Sequence, residues 1–425
     1  MKRPNNTRLA LVLAAMLIAA GTARAQYAAA KVFTFLQDTY NRHDKNLNDF
    51  LIGELSHYAE IFPEEENAAE AQYLLAMVYE VKGDEHEALV SFFKTMFLYP
   101  NGAKHAACAE ALRKIIASEK AYASKKDKLL AIVNGQFEEK TAADRFYDYL
   151  GFLMELDQSN LHQWAIDETR RFVARFPSDE RIDRVLRWTA DLLEKKGNHR
   201  EAAVGYLKLE YVFPESDLLT YARYNRGVLL YEELGEHQKA VDAFNQVVTD
   251  GADSAYAGAA LFMLGEIKQK KLKDYKGAIT DYRKLIENYP SNAKTVDAFF
   301  AIAEIQADKL SAYAEAIATY DELVDKYKTD ERGIKALEKA GDLYRTKLDD
   351  FTQAAAYYAK VAEIYPYYEK APEMLLRAGS LCEDKLKDYK KAIEYYQLVV
   401  EKFPENRLAA EAKRRMGKLQ AKAGQ

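Results

Sequence analysis

Apolar residues recur along most of this chain at the spacing of one helix face, in short blocks divided by polar turns. In one block Leu337, Ala340, Leu343 and Tyr344 share a face, with Gly341 among them. The following kind of block opens on Ala, places an aromatic one turn later and an apolar residue at the seventh position, as in Ala278, Tyr282 and Leu285. It stops at an aromatic–Pro step, because Pro cannot continue a helix and restricts the residue before it. Stretches such as "KLKD" and "LGEH" read as the loop between the two blocks. The pattern therefore predicts pairs of helices.

The pairs repeat. Stepping by 38 from Ala202 meets Ala240, Ala278, Ala316, Ala354 and Ala392, and Ala88 lies in the same phase. A small column precedes it at Gly227, Gly265, Ala303, Gly341 and Gly379. An aromatic column follows at Phe92, Tyr206, Phe244, Tyr282, Tyr320, Tyr358 and Tyr396, and a second at Tyr99, Phe213, Tyr289, Tyr327, Tyr365 and Phe403. Several columns in one register define a repeat protein. A helix-interior Gly loses about 1 kcal/mol against Ala, so the small column implies close approach of another helix, with the aromatics filling the wedge between neighbouring pairs. Regular repeats occupy 178–404 and partly degenerate ones 26–177, about ten pairs in all. Residues 103–137 are the least regular, with a break at Val133–Gly135. The polar stretch 405–425 suits a helix capping the last repeat.

Small residues on both helices, Tyr or Phe at fixed offsets and a closing Pro resemble the tetratricopeptide repeat, whose usual length is 34 residues. The extra length lies mostly in connections such as "FPESDLLTYARYNRG". In this it is similar to the repeats of bacterial envelope proteins of the BamD and CpoB type, though the lipid-anchor Cys of the one and the N-terminal coiled coil of the other are missing. The resemblance implies an all-α, right-handed superhelical solenoid with a concave groove lined by the first helix of each pair. The residue after the small column then faces the groove: Val228, Glu266, Glu304, Asp342 and Ser380. One turn earlier stand Tyr224, Phe262, Phe300, Glu338 and Leu376. Tyr224, Phe262 and Phe300 beside Glu266, Glu304 and Asp342 are thus the candidate site for a basic or amphipathic segment of another protein. The competing reading has the aromatics packed between repeats and the acids solvated.

The N-terminus changes the setting. Lys2, Arg3 and Arg8 precede an apolar run at 9–21, and Ala23, Arg24 and Ala25 form an A-x-A cleavage signal. The run is shorter than the roughly 20 residues that span a membrane. A second cut could fall after Ala30, and no Cys follows either to accept a lipid. The expectation is export to the periplasm, cleavage after Ala25, no lipid anchor and no transmembrane segment in the mature chain. The 61 bases less four in the leader, against 66 acids, leave a formal charge of −9, which disfavours nucleic acid as a partner. Cys108 and Cys382 lie some seven repeats apart, too far to bridge, and read as buried apolar residues.

No nucleotide loop, nucleophile elbow, zincin motif or zinc-spaced Cys–His set occurs. "GDEHEA" at Gly83–Ala88 is the inter-helix loop, since "GNHREA" and "GEHQKA" take the same place. His199 and His237 fall in the column of Tyr275, Tyr313 and Tyr389. Trp164 and Trp188 read as packing aromatics rather than sugar platforms. No catalytic residue, metal ligand or cofactor is assigned. The expected function is a non-enzymatic adaptor or scaffold of the bacterial cell envelope whose partners are other envelope proteins or peptides. A scaffold in envelope polysaccharide export or glycan handling is the alternative.

Overall fold

The computed structural model describes residues 22–138 and 140–423. The apolar run of the expected leader, 9–21, lies outside them. Among the described residues the chain is helical and has no strand. It forms two compact units, Met1–Leu218 and Leu219–Gln425.

The C-terminal unit holds five helix pairs and a last helix. Its elements are α11 (Leu219–Glu232) and α12 (His237–Asp250), α13 (Ala257–Ile267) and α14 (Tyr275–Asn288), α15 (Thr295–Glu304) and α16 (Tyr313–Lys326), α17 (Arg332–Thr346) and α18 (Phe351–Ile364), α19 (Ala371–Leu381) and α20 (Tyr389–Lys402), and α21 (Arg407–Ala423). Each helix packs on the next in chain order. The columns explain the packing, with one correction. The small column admits the aromatic ring carried by the second helix of its own pair, and at Gly341 that helix's Ala354 carbonyl as well. A Cβ on Gly265 would stand 2.5 Å from the Tyr282 ring, and Gly227, Gly341 and Gly379 meet Phe244, Tyr358 and Tyr396 in the same way. These rings are almost wholly buried, and Arg377 and Arg415 of the following first helices lie over Tyr358 and Tyr396, 4.2 and 5.8 Å from the ring centres, so the rings pack inside a pair and against the next one.

The second aromatic column makes the link between repeats. Tyr289 Oη donates to the Ala252 carbonyl at 2.6 Å and Tyr327 Oη to that of Pro290 at 2.8 Å. Tyr365 Oη reaches the Asp330 carbonyl at 3.4 Å. Each phenol thus satisfies a backbone acceptor at the end of the preceding pair.

The turn inside a pair is also a column. Gly83, Gly197 and Gly235 have positive φ, and in the same register Lys273, Ser311, Asp349 and Lys387 have φ of 53–59°. The left-handed residue ends the first helix. In three pairs a π-helical segment leads into it, Lys268–Leu272, Ile305–Lys309 and Cys382–Leu386. "KLKD" is therefore partly helical, and its Asp is the N-cap of the next helix: Asp274, Asp350 and Asp388 accept from the backbone N–H of Gly277, Gln353 and Lys391, each at 2.9 Å.

The N-terminal unit runs through α1 (Thr22–Tyr40), α2 (Asn48–Ile61), α3 (Ala68–Lys82), α4 (Glu85–Leu98), α5 (His105–Ser118), α6 (Lys126–Asn134), α7 (Ala142–Leu156), α8 (His162–Arg175), α9 (Ile182–Lys195) and α10 (His199–Val212). Here the order of packing departs from the order of the chain. α5 packs on α4 in chain order, but α7 also reaches back past α6 and packs directly on α4. Phe93 and Phe152 stand 4.5 Å apart, and Tyr149 Oη donates to the Val90 carbonyl at 3.1 Å. Both cysteines are buried free thiols, and burial pushes Cys108 up to about 12 and Cys382 to about 11.

Candidate functional site

The six candidate residues lie on α11, α13, α15 and α17, all half-buried. The three aromatics cap the buried ring beneath them. Tyr224 is 5.7 Å from Phe244 and 5.2 Å from Tyr256. Phe262 is 5.5 Å from Tyr282, with the Lys294 ammonium 5.2 Å from its centroid. Phe300 is 5.7 Å from Tyr320 and lies under Lys335 at 5.4 Å.

The carboxylates are paired. Glu266 meets Lys270 of its own helix turn at 2.5 Å. Glu304 meets Lys339 of the next pair at 2.9 Å. Asp342 accepts from Tyr358 Oη at 2.5 Å and from Arg345 and Arg377 at 3.2 Å. Ser380 continues the column, bound by Arg415 of α21 at 3.0 Å. From Glu304 onward each rung takes its base from the following first helix, and α21 supplies the last one. The strip is a ladder of acid–base rungs beside lysine-covered rings, not a row of bare acids. Exposed pairs of this kind contribute about 0–1 kcal/mol, so an incoming charged group exchanges with them readily. Glu304 and Asp342 each keep 44% of their side-chain surface exposed, Glu266 only 22%.

Sequence reasoning missed a second place, in the N-terminal unit. A cavity of about 410 Å³ lies where α8 meets α2, α3 and α4. Lys94 Nζ lies 2.8 Å from both carboxylate oxygens of the fully buried Glu168, and Arg171 Nη1 donates to Glu168 at 2.6 Å. Arg171 also pairs with Glu60, and Arg175 with Glu64, so α8 closes on residues 111 positions upstream. Burial pulls the Lys94 ammonium down, against the pull of Glu168. Burial, with Glu87 nearby, pushes the Tyr79 phenol up to about 12. The one sequence signal was a lysine inside "LVSFFKTMFL", where every neighbour on all faces is apolar or small. Both tryptophans are packed: Trp164 Nε1 donates to Tyr149 Oη at 2.9 Å, and Trp188 stacks on Tyr147 at 5.0 Å.

A family model described as tetratricopeptide repeat matches residues 221–250, 259–292 and 297–330, and a second of the same description matches 339–407. Similar solved structures include a tetratricopeptide repeat protein from Parabacteroides merdae, 15% identical over 65% of this chain and 98% of that one, at a TM-score of 0.36. The C-terminal part of a repeat protein from Cytophaga hutchinsonii is 14% identical over 63% and 98%, at 0.40. YrrB, described as having an unusual peptide-binding site, is 20% identical over 50% and 99%, at 0.30. Among curated proteins none matches.

Proposed function

This is a tetratricopeptide-repeat protein, and from that premise we propose that it is a non-catalytic scaffold of the bacterial cell envelope, holding partner polypeptides along the first-helix strip of its C-terminal unit. Tetratricopeptide repeats generally serve as interaction scaffolds, and the leader-like N-terminus and the long connection between repeats support the envelope setting. Among the described residues no helix is long and apolar enough to cross a membrane. The observation that carries the reading is the ladder itself: half-buried rings Tyr224, Phe262 and Phe300 lie beside rungs that exchange easily at Glu304 and Asp342. A partner segment with basic and apolar side chains would take the carboxylates from Lys339 and Arg377 and bury the rings.

The test is capture from envelope extracts with the mature chain and with a Glu266→Lys/Glu304→Lys variant of matching circular dichroism. A set of proteins held by the native chain and lost by the variant is expected. Equal capture by both would remove the strip from the account. Capture of nothing by either, with the protein found in the cytoplasm on fractionation, would remove the envelope scaffold itself.

A further inference from the structure

The cavity beside Lys94 holds more hydrogen-bonding capacity than the chain uses. Three acids and three bases line it, and each is paired. Lys94 and Arg171 share Glu168, Arg171 also meets Glu60, Arg175 meets Glu64, and Asp167 meets Arg170 at 3.6 Å. The pairing consumes only part of each group, because an ammonium has three N–H bonds and a guanidinium five. Lys94 donates to Glu168 alone. The Arg171 bonds run from Nε and Nη1 and leave Nη2 over. Among the described residues, the Tyr79 phenol and the Ser56 hydroxyl on the same wall find no hydrogen-bond partner.

Rings stand beside these groups. Tyr79 and Trp164, both half-buried, meet 5.7 Å apart with their planes at 70°, and Phe146 lies 5.6 Å from the Lys94 ammonium. At about 410 Å³ the space matches a small-molecule site.

Charge selects what fits. An ionic ligand would have to take a partner from Lys94, Glu168 or Arg171 and leave a buried charge unmatched. A neutral ligand rich in hydroxyls breaks no pair. Each hydroxyl both donates and accepts, and so suits a wall of leftover N–H groups and lone hydroxyls. A peptide offers only one donor and one acceptor per residue along its backbone. A pyranose carries several hydroxyls around one small ring, and its C–H face packs on the electron-rich face of an aromatic side chain.

We propose that this cavity binds a neutral pyranose sugar, with Lys94, Arg171, Tyr79 and Ser56 meeting its hydroxyls and the Tyr79–Trp164 corner meeting its ring. Tyr79, Trp164 and Asp167 also line a second groove of about 340 Å³, so a further sugar unit has a place to follow. The site lies in the N-terminal unit and stands independently of the first-helix strip.

Trp164 and Trp188 are the chain's two tryptophans, so Trp188→Phe in the full mature chain leaves Trp164 as the sole fluorescent reporter. The probes are glucose, galactose, mannose and N-acetylglucosamine, each titrated into the tens of millimolar. A saturable change in Trp164 emission is expected from at least one. Glucuronate and glucosamine, the charged counterparts, should bind more weakly than the best neutral sugar. Ser56→Phe, with unchanged circular dichroism, should abolish the response by filling the wall. Tyr79→Phe keeps the ring and should weaken binding by about threefold or more. Maltotriose binding more tightly than glucose would mark a chain end as the ligand, and equal affinity the free sugar. No saturable response to any neutral sugar would overturn the proposal. So would equal binding of the charged sugars, equal binding by both variants, or a stronger response to a neutral blocked tripeptide.

Discussion

Gly265 and Lys273 close the same helix and obey opposite steric demands. A Cβ at 265 has no room above Tyr282, so Gly265→Ala should cost about 1–3 kcal/mol. Lys273 holds a left-handed conformation that costs an L-residue about 1–2 kcal/mol, partly offset because Gly is freer when unfolded. Lys273→Gly should therefore be stabilising by up to about 1 kcal/mol. Urea denaturation of both variants checks the pair of signs. Lys94 and Glu168 supply a third residue-scale test. Glu168→Gln leaves a buried ammonium without its counter-charge and should destabilise by about 3–5 kcal/mol. The double change Lys94→Met/Glu168→Leu should be far milder than the single one, because it removes both charges; a double variant as unstable as the single would contradict the pairing. At this scale the sequence showed the Gly column but not its partner ring, because a residue column carries no direction. It showed Lys94 as an oddity but not Glu168, which lies 74 positions away.

Within an element, the turn decides how the next helix starts. Asp274, Asp350 and Asp388 cap their helices, and Ala312 holds the same place with nothing to accept a hydrogen bond. Its backbone, φ −89° and ψ 67°, matches that of Asp274 at −82° and 77°. Ala312→Asp should raise stability by about 0.5–2 kcal/mol, read as an increase in melting temperature; no gain would mean the cap is set by the backbone alone. The number of helix pairs was legible because period and breakers agree across columns. The π-helical ends were not, since "KLKD" contains the left-handed residue and the cap in one polar run. Nor was the seating of α7 on α4. The irregularity of 103–137 showed in the lost register, but a single sequence does not say that a later helix reaches back past it onto α4. The candidate strip was legible as positions, while its pairing was not: Lys339 and Arg377 stand 35 residues beyond the acids they meet.

For the whole molecule, alkaline pH is the revealing stress. Burial, with lesser help from nearby acids, pushes the phenols of Tyr58 and Tyr79 up to about 12 from an ordinary value of 10. A raised phenol favours the neutral form in the fold. Its stabilisation is complete below pH 10 and is lost as pH rises from 10 towards about 12. Phenolate absorbance should therefore show a late phase that coincides with loss of helical circular dichroism; full ionisation near pH 10 with the helices intact would contradict the burial. Burial also raises the phenols of Tyr99 in the N-terminal unit and of Tyr224, Tyr282, Tyr320 and Tyr358 in successive pairs of the C-terminal unit, so the stress reports on many pairs rather than on one site.

The claim that a partner lies along the first-helix strip is tested most directly by photo-crosslinking in intact cells. A photoreactive phenylalanine analogue replaces Glu304 on the strip in one strain and Asp321 on the opposite helix in another. Adducts of discrete size from position 304 and none from 321 are the predicted result. Adducts from 321 alone, or none from 304 while the protein is folded and exported, would contradict it.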